Sequence, residues 1–233
     1  MQNSPHLPRT TRDVELPEQV LAVIAAIETD IIRGRILPRT RLIEDHLMED
    51  YDAKRHVVRA ALAELQRLGV VTKPRHRGAE LPLFTAAELN DLYAMRAVLH
   101  QAAARAIVLP VPRSRLAEVS AAMKAHATAA RSGDLIRIHR ENMVFHRLIF
   151  GLCDNPYLAE SIRLHDWLSF PARAYGAADP GALAQACAEH EAMVKALRDR
   201  DREVLEHLAV THMERARQLY VQKFLAGQQQ PRR

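Results

Sequence analysis

The chain holds only two cysteines, Cys153 and Cys187, and neither stands at a spacing used by metal or redox motifs. They read as small residues for helix packing, in keeping with a reducing, cytoplasmic setting. No apolar run approaches the roughly 20 residues that a membrane helix requires. The first residues, Met1 to Val14, are polar with two prolines rather than signal-like, so residues 1–15 are expected to form a flexible arm. Beyond Phe84 no segment reads convincingly as a strand, no fixed-period repeat is evident, and no His-Glu-x-x-His occurs. A membrane protein, a solenoid and that class of zinc peptidase are thereby set aside. What remains is a chain of 233 residues with an ordinary apolar fraction of 48%, long enough for two modest domains.

The first of these is expected over residues 16–84. Lys54-Arg55-His56-Val57-Val58-Arg59-Ala60-Ala61-Leu62 places Arg55 and Arg59 four apart, on one face of a helix. Val58, Ala61, Leu62 and Leu65 form the opposite stripe, and Gly69 supplies a stop. Upstream, Arg41 to Met48 reads as a short helix joined through Tyr51-Asp52-Ala53. Downstream, Val70–Lys73 and Ala79–Leu81 read as strands around the basic turn Pro74-Arg75-His76-Arg77-Gly78. Two helices and a basic hairpin in this order make a winged helix-turn-helix, with Lys54, Arg55, His56 and Arg59 as candidates for the major groove. Arg75, Arg77 and Gly78 are candidates for phosphate or minor-groove contact. Two arginines alone equally describe a solvated face. Over residues 51–79, however, seven lysines and arginines face only Asp52 and Glu64, so the whole net charge of +5 is concentrated there.

These residues, preceded by Ile32-Arg33-Gly34-Arg35-Ile36-Leu37-Pro38, resemble the GntR family of bacterial transcription regulators. The family pattern has an Ile-Arg-x-Gly opening, a Ser-Arg-x-x-Val-Arg-x-Ala-Leu helix and an Arg-Gly wing, and Arg55, Val58, Arg59, Ala61, Leu62 and Gly78 match it. Lys54 stands where serine is usual, and Asp45 where many members place an arginine that contacts DNA.

The second domain, 85–227, followed by a tail over 228–233, is expected to be an antiparallel helical bundle, giving a mainly α protein. Thr85-Ala86-Ala87-Glu88 is a capping-box start. Breaks at Pro110–Pro112, Ser132-Gly133, Asp154-Asn155-Pro156, Gly176–Gly181 and Arg200 delimit helices near 86–109, 113–131, 134–152, 156–174, 181–199 and 201–226. His146, His190 and His212 each fall on an apolar stripe of a different helix, with Asn142 one turn before the first. Singly, each reads as a hydrogen-bonded core histidine. Together, three inward imidazoles suit zinc, nickel or a similar ion, with the Asn142 carbonyl as a further donor.

This second pattern resembles the FCD effector domain of the FadR subfamily. Its metal-binding members carry Asp or Asn four residues before the histidine of a Phe-His pair, then a Glu-His pair, then a final histidine. Asn142, Phe145-His146, Glu189-His190 and His212 match in order. The resemblance implies a divalent metal on Asn142, His146, His190 and His212, and a small carboxylate effector held beside it by Arg96. His100, where members often carry glutamate, is a candidate effector contact, and His139 is left to the second layer or the surface. The function implied is a repressor that binds an imperfect palindrome of double-stranded operator DNA as a cytoplasmic homodimer. Two other readings stay open. One is a DNA-binding regulator without metal. The other is a hydrolase, since three histidines with an open position also describe catalytic zinc.

Overall fold

The computed structural model describes residues 16–74 and 78–226. The arm over 1–15, Arg75, Arg77 and the tail lie outside these residues. Helix α1 (Glu18–Ile32) buries Val20, Val23, Ile24, Ile27 and Ile31, a stripe at three- and four-residue spacing. It packs on α3 (Arg55–Arg67), which buries Val57, Val58, Ala61, Leu62 and Leu65. The core of this unit is the stripe expected from the sequence, extended by Val57.

The wing differs from expectation. Arg41 and Leu42 do not begin a helix but form strand β1 (Arg41–Leu42), antiparallel to β2 (Ala79–Glu80), with Leu42 opposite Ala79. Arg41 is exposed and Leu42 buried, so the two residues follow the period of two of a strand. Helix α2 starts later, over Glu44–Asp50, after an extended Ile43. In the expected strand Val70–Lys73, Thr72 alone pairs, exchanging two backbone bonds with Glu80 at 2.8 and 2.9 Å. Val70 and Val71 instead donate their N–H groups back to the Leu65 carbonyl and close the end of α3. Gly69 has φ +77°, a left-handed turn that favours glycine, and a Cβ there would meet the end of the Leu168 side chain from the second half of the chain.

That half is helical throughout: α4 (Ala86–Ala106), α5 (Arg113–Ser132), α6 (Leu135–Gly151), α7 (Pro156–Leu168), α8 (Phe170–Arg173), α9 (Pro180–Asp199), α10 (Arg202–Thr211) and α11 (Glu214–Tyr220). The capping box forms, Glu88 N–H donating to Thr85 Oγ1 at 3.2 Å and Thr85 N–H to Glu88 Oε2 at 2.8 Å. Asp134, Asn155, Asp179 and Asp201 cap four later helices through side-chain oxygens.

Two expected helices are each broken. The span 156–174 divides at Ser169, because Pro171 has no N–H and cannot continue a helix already under way. The short α8 that follows turns Phe170 and Ala174 into the core of the winged helix, with Trp167 packed against the same cluster. The span 201–226 divides at His212-Met213, where Met213 is buried in a separate cluster with Leu89, Tyr93 and Tyr220. Between α4 and α10 and between α5, α6 and α9 lies the main helical core.

A histidine tripod and a paired arginine surface

On α3, Lys54, Arg55, His56 and Arg59 are all exposed. The two arginines are not idle. Arg55 Nη2 donates to Asp45 Oδ1 at 2.6 Å, and Arg59 Nε donates to Glu44 Oε2 at 2.8 Å. Asp45, the departure noted in the sequence, thus approaches the recognition helix and holds its first arginine. The side chains of Arg55, Arg59 and Asp45 keep 48%, 63% and 64% of their exposure, so water or a phosphate can take over these pairs at small cost. Gly78 has φ +76° and open space around it, as a tight wing turn requires.

The three histidines arrive from α6, α9 and the end of α10. His146 Nε2 stands 3.0 Å from His212 Nε2, and His190 Nε2 stands 3.2 Å from the same atom. Four ligands at about 2.0–2.1 Å from a tetrahedral zinc would lie about 3.3 Å apart. The group can therefore hold a metal ion with little movement, and His146, His190 and His212 form one cluster. Burial pushes the His146 and His190 imidazoles well below their usual value, with their neighbouring histidines adding to it. Neutral rings keep ligand lone pairs. Lone pairs that face one another across 3 Å repel unless a proton or cation lies between them, and a metal ion removes that conflict for all three rings.

Glu189 completes the arrangement. Its Oε2 accepts from His212 Nδ1 at 2.7 Å and its Oε1 from Gln185 Nε2 at 2.8 Å. Burial works against its charge, but these hydrogen bonds outweigh it and hold the carboxyl below its ordinary value. A carboxylate on Nδ1 fixes the tautomer that leaves Nε2 free and makes it a better donor. The Glu189-His190 pair was visible in the sequence, yet its two members serve different histidines. Neighbouring residues on a helix diverge by about 100°, so Glu189 reaches past His190 to another helix.

Two members of the tripod, His146 and His212, line a cavity of about 100 Å³ together with Asn142, Arg96, His139 and Arg173, while His190 stands behind its wall. Arg96 also lines it, but its Nη2 is held by Asp166 Oδ1 at 2.9 Å in a pair that is almost wholly buried. His100 is not among the lining residues. It lies behind His146, ring centroids 6.4 Å apart, with Nδ1 3.3 Å from the Ala209 carbonyl and its ring 4.3 Å from Phe150. Burial first, then Arg96, pushes it down to about 3, so it stays neutral. His139 is buried and lines the cavity against Phe170. Asp166, Arg173 and His126 went unnoticed in the sequence, where nothing in their spacing marks them. Cys187 Sγ sits 3.8 Å from His126 Nδ1.

A winged helix with an exposed arginine face, joined to a helical body that holds a metal-competent histidine cluster, defines a two-part protein of the winged-helix DNA-binding class. Comparison places it more narrowly. Residues 19–81 match "Bacterial regulatory proteins, gntR family" and residues 91–215 match "FCD domain". The chain belongs to the GntR family of transcription regulators and carries an FCD domain. Among solved structures, E. coli McbR/YncC is 22% identical with a TM-score of 0.72, over 90% of this chain and 100% of that one. A GntR regulator from Rhodococcus sp. RHA1 is 20% identical with a TM-score of 0.68, over 89% of this chain and 100% of that one. At these identities the likeness speaks for the fold. No protein of curated function matches. Among the described residues no helix is long and apolar enough to cross a membrane.

Proposed function

We propose that this protein is a cytoplasmic, homodimeric repressor whose operator affinity is set by a small carboxylate bound at a divalent metal in the helical domain. The observation that carries the reading is the convergence of three buried imidazole nitrogens, one of them oriented by Glu189. His146, His190 and His212 would hold the ion, zinc by preference of the donor set, with Asn142 as a weaker oxygen donor. When bound, the ion supplies a positive centre for an oxyanion. Glu189, the carboxylate that touches the tripod, is committed to His212, which favours binding over hydrolysis as the task of this site. Lys54, Arg55, His56 and Arg59 would read the major groove, and Arg75, Arg77 and Gly78 would follow the backbone. One winged helix reaches few bases, so two-fold pairing on a palindrome supplies the rest. The exposed apolar Met95 and Val98 on α4 are consistent with a second copy covering that face.

The test uses the full chain purified without chelator. Elemental analysis should find about one divalent ion per chain. His212→Ala should lose it and melt earlier, because an ion bound to the folded state alone adds to its stability. A carboxylate titration followed by operator anisotropy should move DNA affinity by roughly 5- to 150-fold. A folded, metal-free chain whose melting ignores chelator would overturn the metal. Metal-loaded protein whose operator affinity ignores every carboxylate would overturn the sensing.

A further inference from the structure

Three arginines line the cavity, and their partners differ. Arg96 is neutralised by buried Asp166 at 2.9 Å. Arg215 lies 3.5 Å from Asp179. Arg173 has no carboxylate within ion-pair distance among the described residues. Its Nε donates to the Asp166 backbone carbonyl at 3.3 Å and its Nη2 to the Met143 sulfur at 2.9 Å. A thioether is a weak acceptor, and a guanidinium offers five N–H donors, so most of its capacity is unused. Burial is the largest influence on Arg173 and pushes it below the usual guanidinium range. A half-buried guanidinium whose donors are mostly unused is a ready partner for an anion that enters the cavity.

The charge of the site says what arrives. Imidazoles that ligate an ion do so in the neutral form, Asn142 is uncharged, and the pairs at Arg96 and Arg215 cancel. Among the groups that line the cavity, with a divalent ion on the tripod, Arg173 and that ion oppose Glu189 alone, Glu28 lying outside the lining. The loaded cavity then carries an excess of two positive charges.

We propose that Arg173, not Arg96, is the anion anchor of the effector, and that the effector is a short dianion with one carboxylate toward the tripod and the other on Arg173. This deepens the function proposed above and rests on its metal. The walls between the two poles include Ala177, Ala182, Ala186 and Met213, which suit a short apolar body. The anchor also has a consequence for signalling. Arg173 ends the short helix whose Phe170 lies in the winged-helix core, its guanidinium carbon 5.7 Å from the centre of that ring.

The experiment is calorimetric titration of the metal-loaded full chain with succinate and with butyrate, which differ by one carboxylate at equal carbon number. Wild type should bind succinate at least tenfold more tightly, about the worth of one charge-assisted contact. Arg173→Gln should bring the two ligands level while leaving metal content and butyrate affinity unchanged. Arg173→Lys, which keeps the charge without the fork, should retain part of the preference and guards against a Gln variant that folds poorly. Metal-loaded Arg173→Gln that still ranks succinate above butyrate as wild type does would overturn the inference, as would wild type that binds both alike. If wild type held no metal, elemental analysis would show that failure separately. The charge excess would then vanish and the dianion class with it.

Discussion

Arg55 and Arg59 in the first half of this protein and Arg96 in the second are held in opposite ways. Arg55 and Arg59 on the winged helix pair with Asp45 and Glu44 in contact with water, whereas Arg96 pairs with Asp166 where both side chains keep 3% and 6% of their exposure. Exposed pairs contribute about 0–1 kcal/mol and exchange readily. A buried pair cannot lose one partner without stranding the other. The difference fits the proposed tasks. Arginines that would leave their partners for DNA are kept in water, and the arginine that lines the helical cavity is locked. Arg173 stands between these cases, on the cavity wall but with no carboxylate within ion-pair distance among the described residues.

The largest effect should come from breaking the locked pair. Asp166→Asn leaves Arg96 buried and unpaired, and chemical denaturation should show a loss of about 3–5 kcal/mol. A variant as stable as wild type would mean that water reaches Arg96 freely.

Next comes Glu28, on α1, which faces the second half of the chain near Arg140 and Arg173. Burial raises its pKa to about 7, against the opposing pull of those two arginines. The folded state then holds a proton that the unfolded chain has already released. Between pH 4.5 and 7 stability therefore falls as pH rises, and the loss is complete above the folded value. Glu28→Gln should melt like wild type near pH 5 and exceed it at pH 8 by up to about 3 kcal/mol. The difference between the two chains isolates Glu28, because the buried histidines titrate alike in both. Parallel curves for the two across this range would show that Glu28 is solvated.

On the DNA side, Arg59→Ala should cost about 1–3 kcal/mol of operator binding and relax base preference at one position, with melting almost unchanged. Intact discrimination would remove α3 from the role of reading helix. The smallest effect belongs to Asp45→Asn. It should change stability by less than about 1 kcal/mol, since an exposed pair is all that is lost, while tightening DNA binding by removing a charge that repels phosphate. Weaker binding would instead show that Asp45 positions Arg55 for its base.

Much of this was legible without coordinates, for identifiable reasons. Helical stripes such as Val58, Ala61, Leu62 and Leu65 declare a buried face because apolar spacing near 3.6 residues has one meaning. The capping box at Thr85 and Glu88 is a local hydrogen-bond exchange and needs nothing distant. The strand at Arg41–Leu42 escaped notice because two residues carry too little periodicity, and their partner lies nearly forty residues further on. The same limit hid the break at Ser169, since Phe170 leaves its helix to fill a core built by other elements. At the site, spacing marks His146, His190 and His212, but nothing in it says that Glu189 meets His212, and His100, a candidate effector contact, does not line the cavity.

The sequence by itself determined the main helices, the exposed arginine face of α3 and the three inward histidines, because each follows from residues within one or two turns of one another. The tertiary structure alone decided which charges meet. Asp45 with Arg55, Asp166 with Arg96 and Glu189 with His212 are contacts between separate elements, set by how those elements pack. It also gave Arg173 a carbonyl and a thioether but, among the described residues, no carboxylate within ion-pair distance, since no local rule specifies which cation a fold will leave without one.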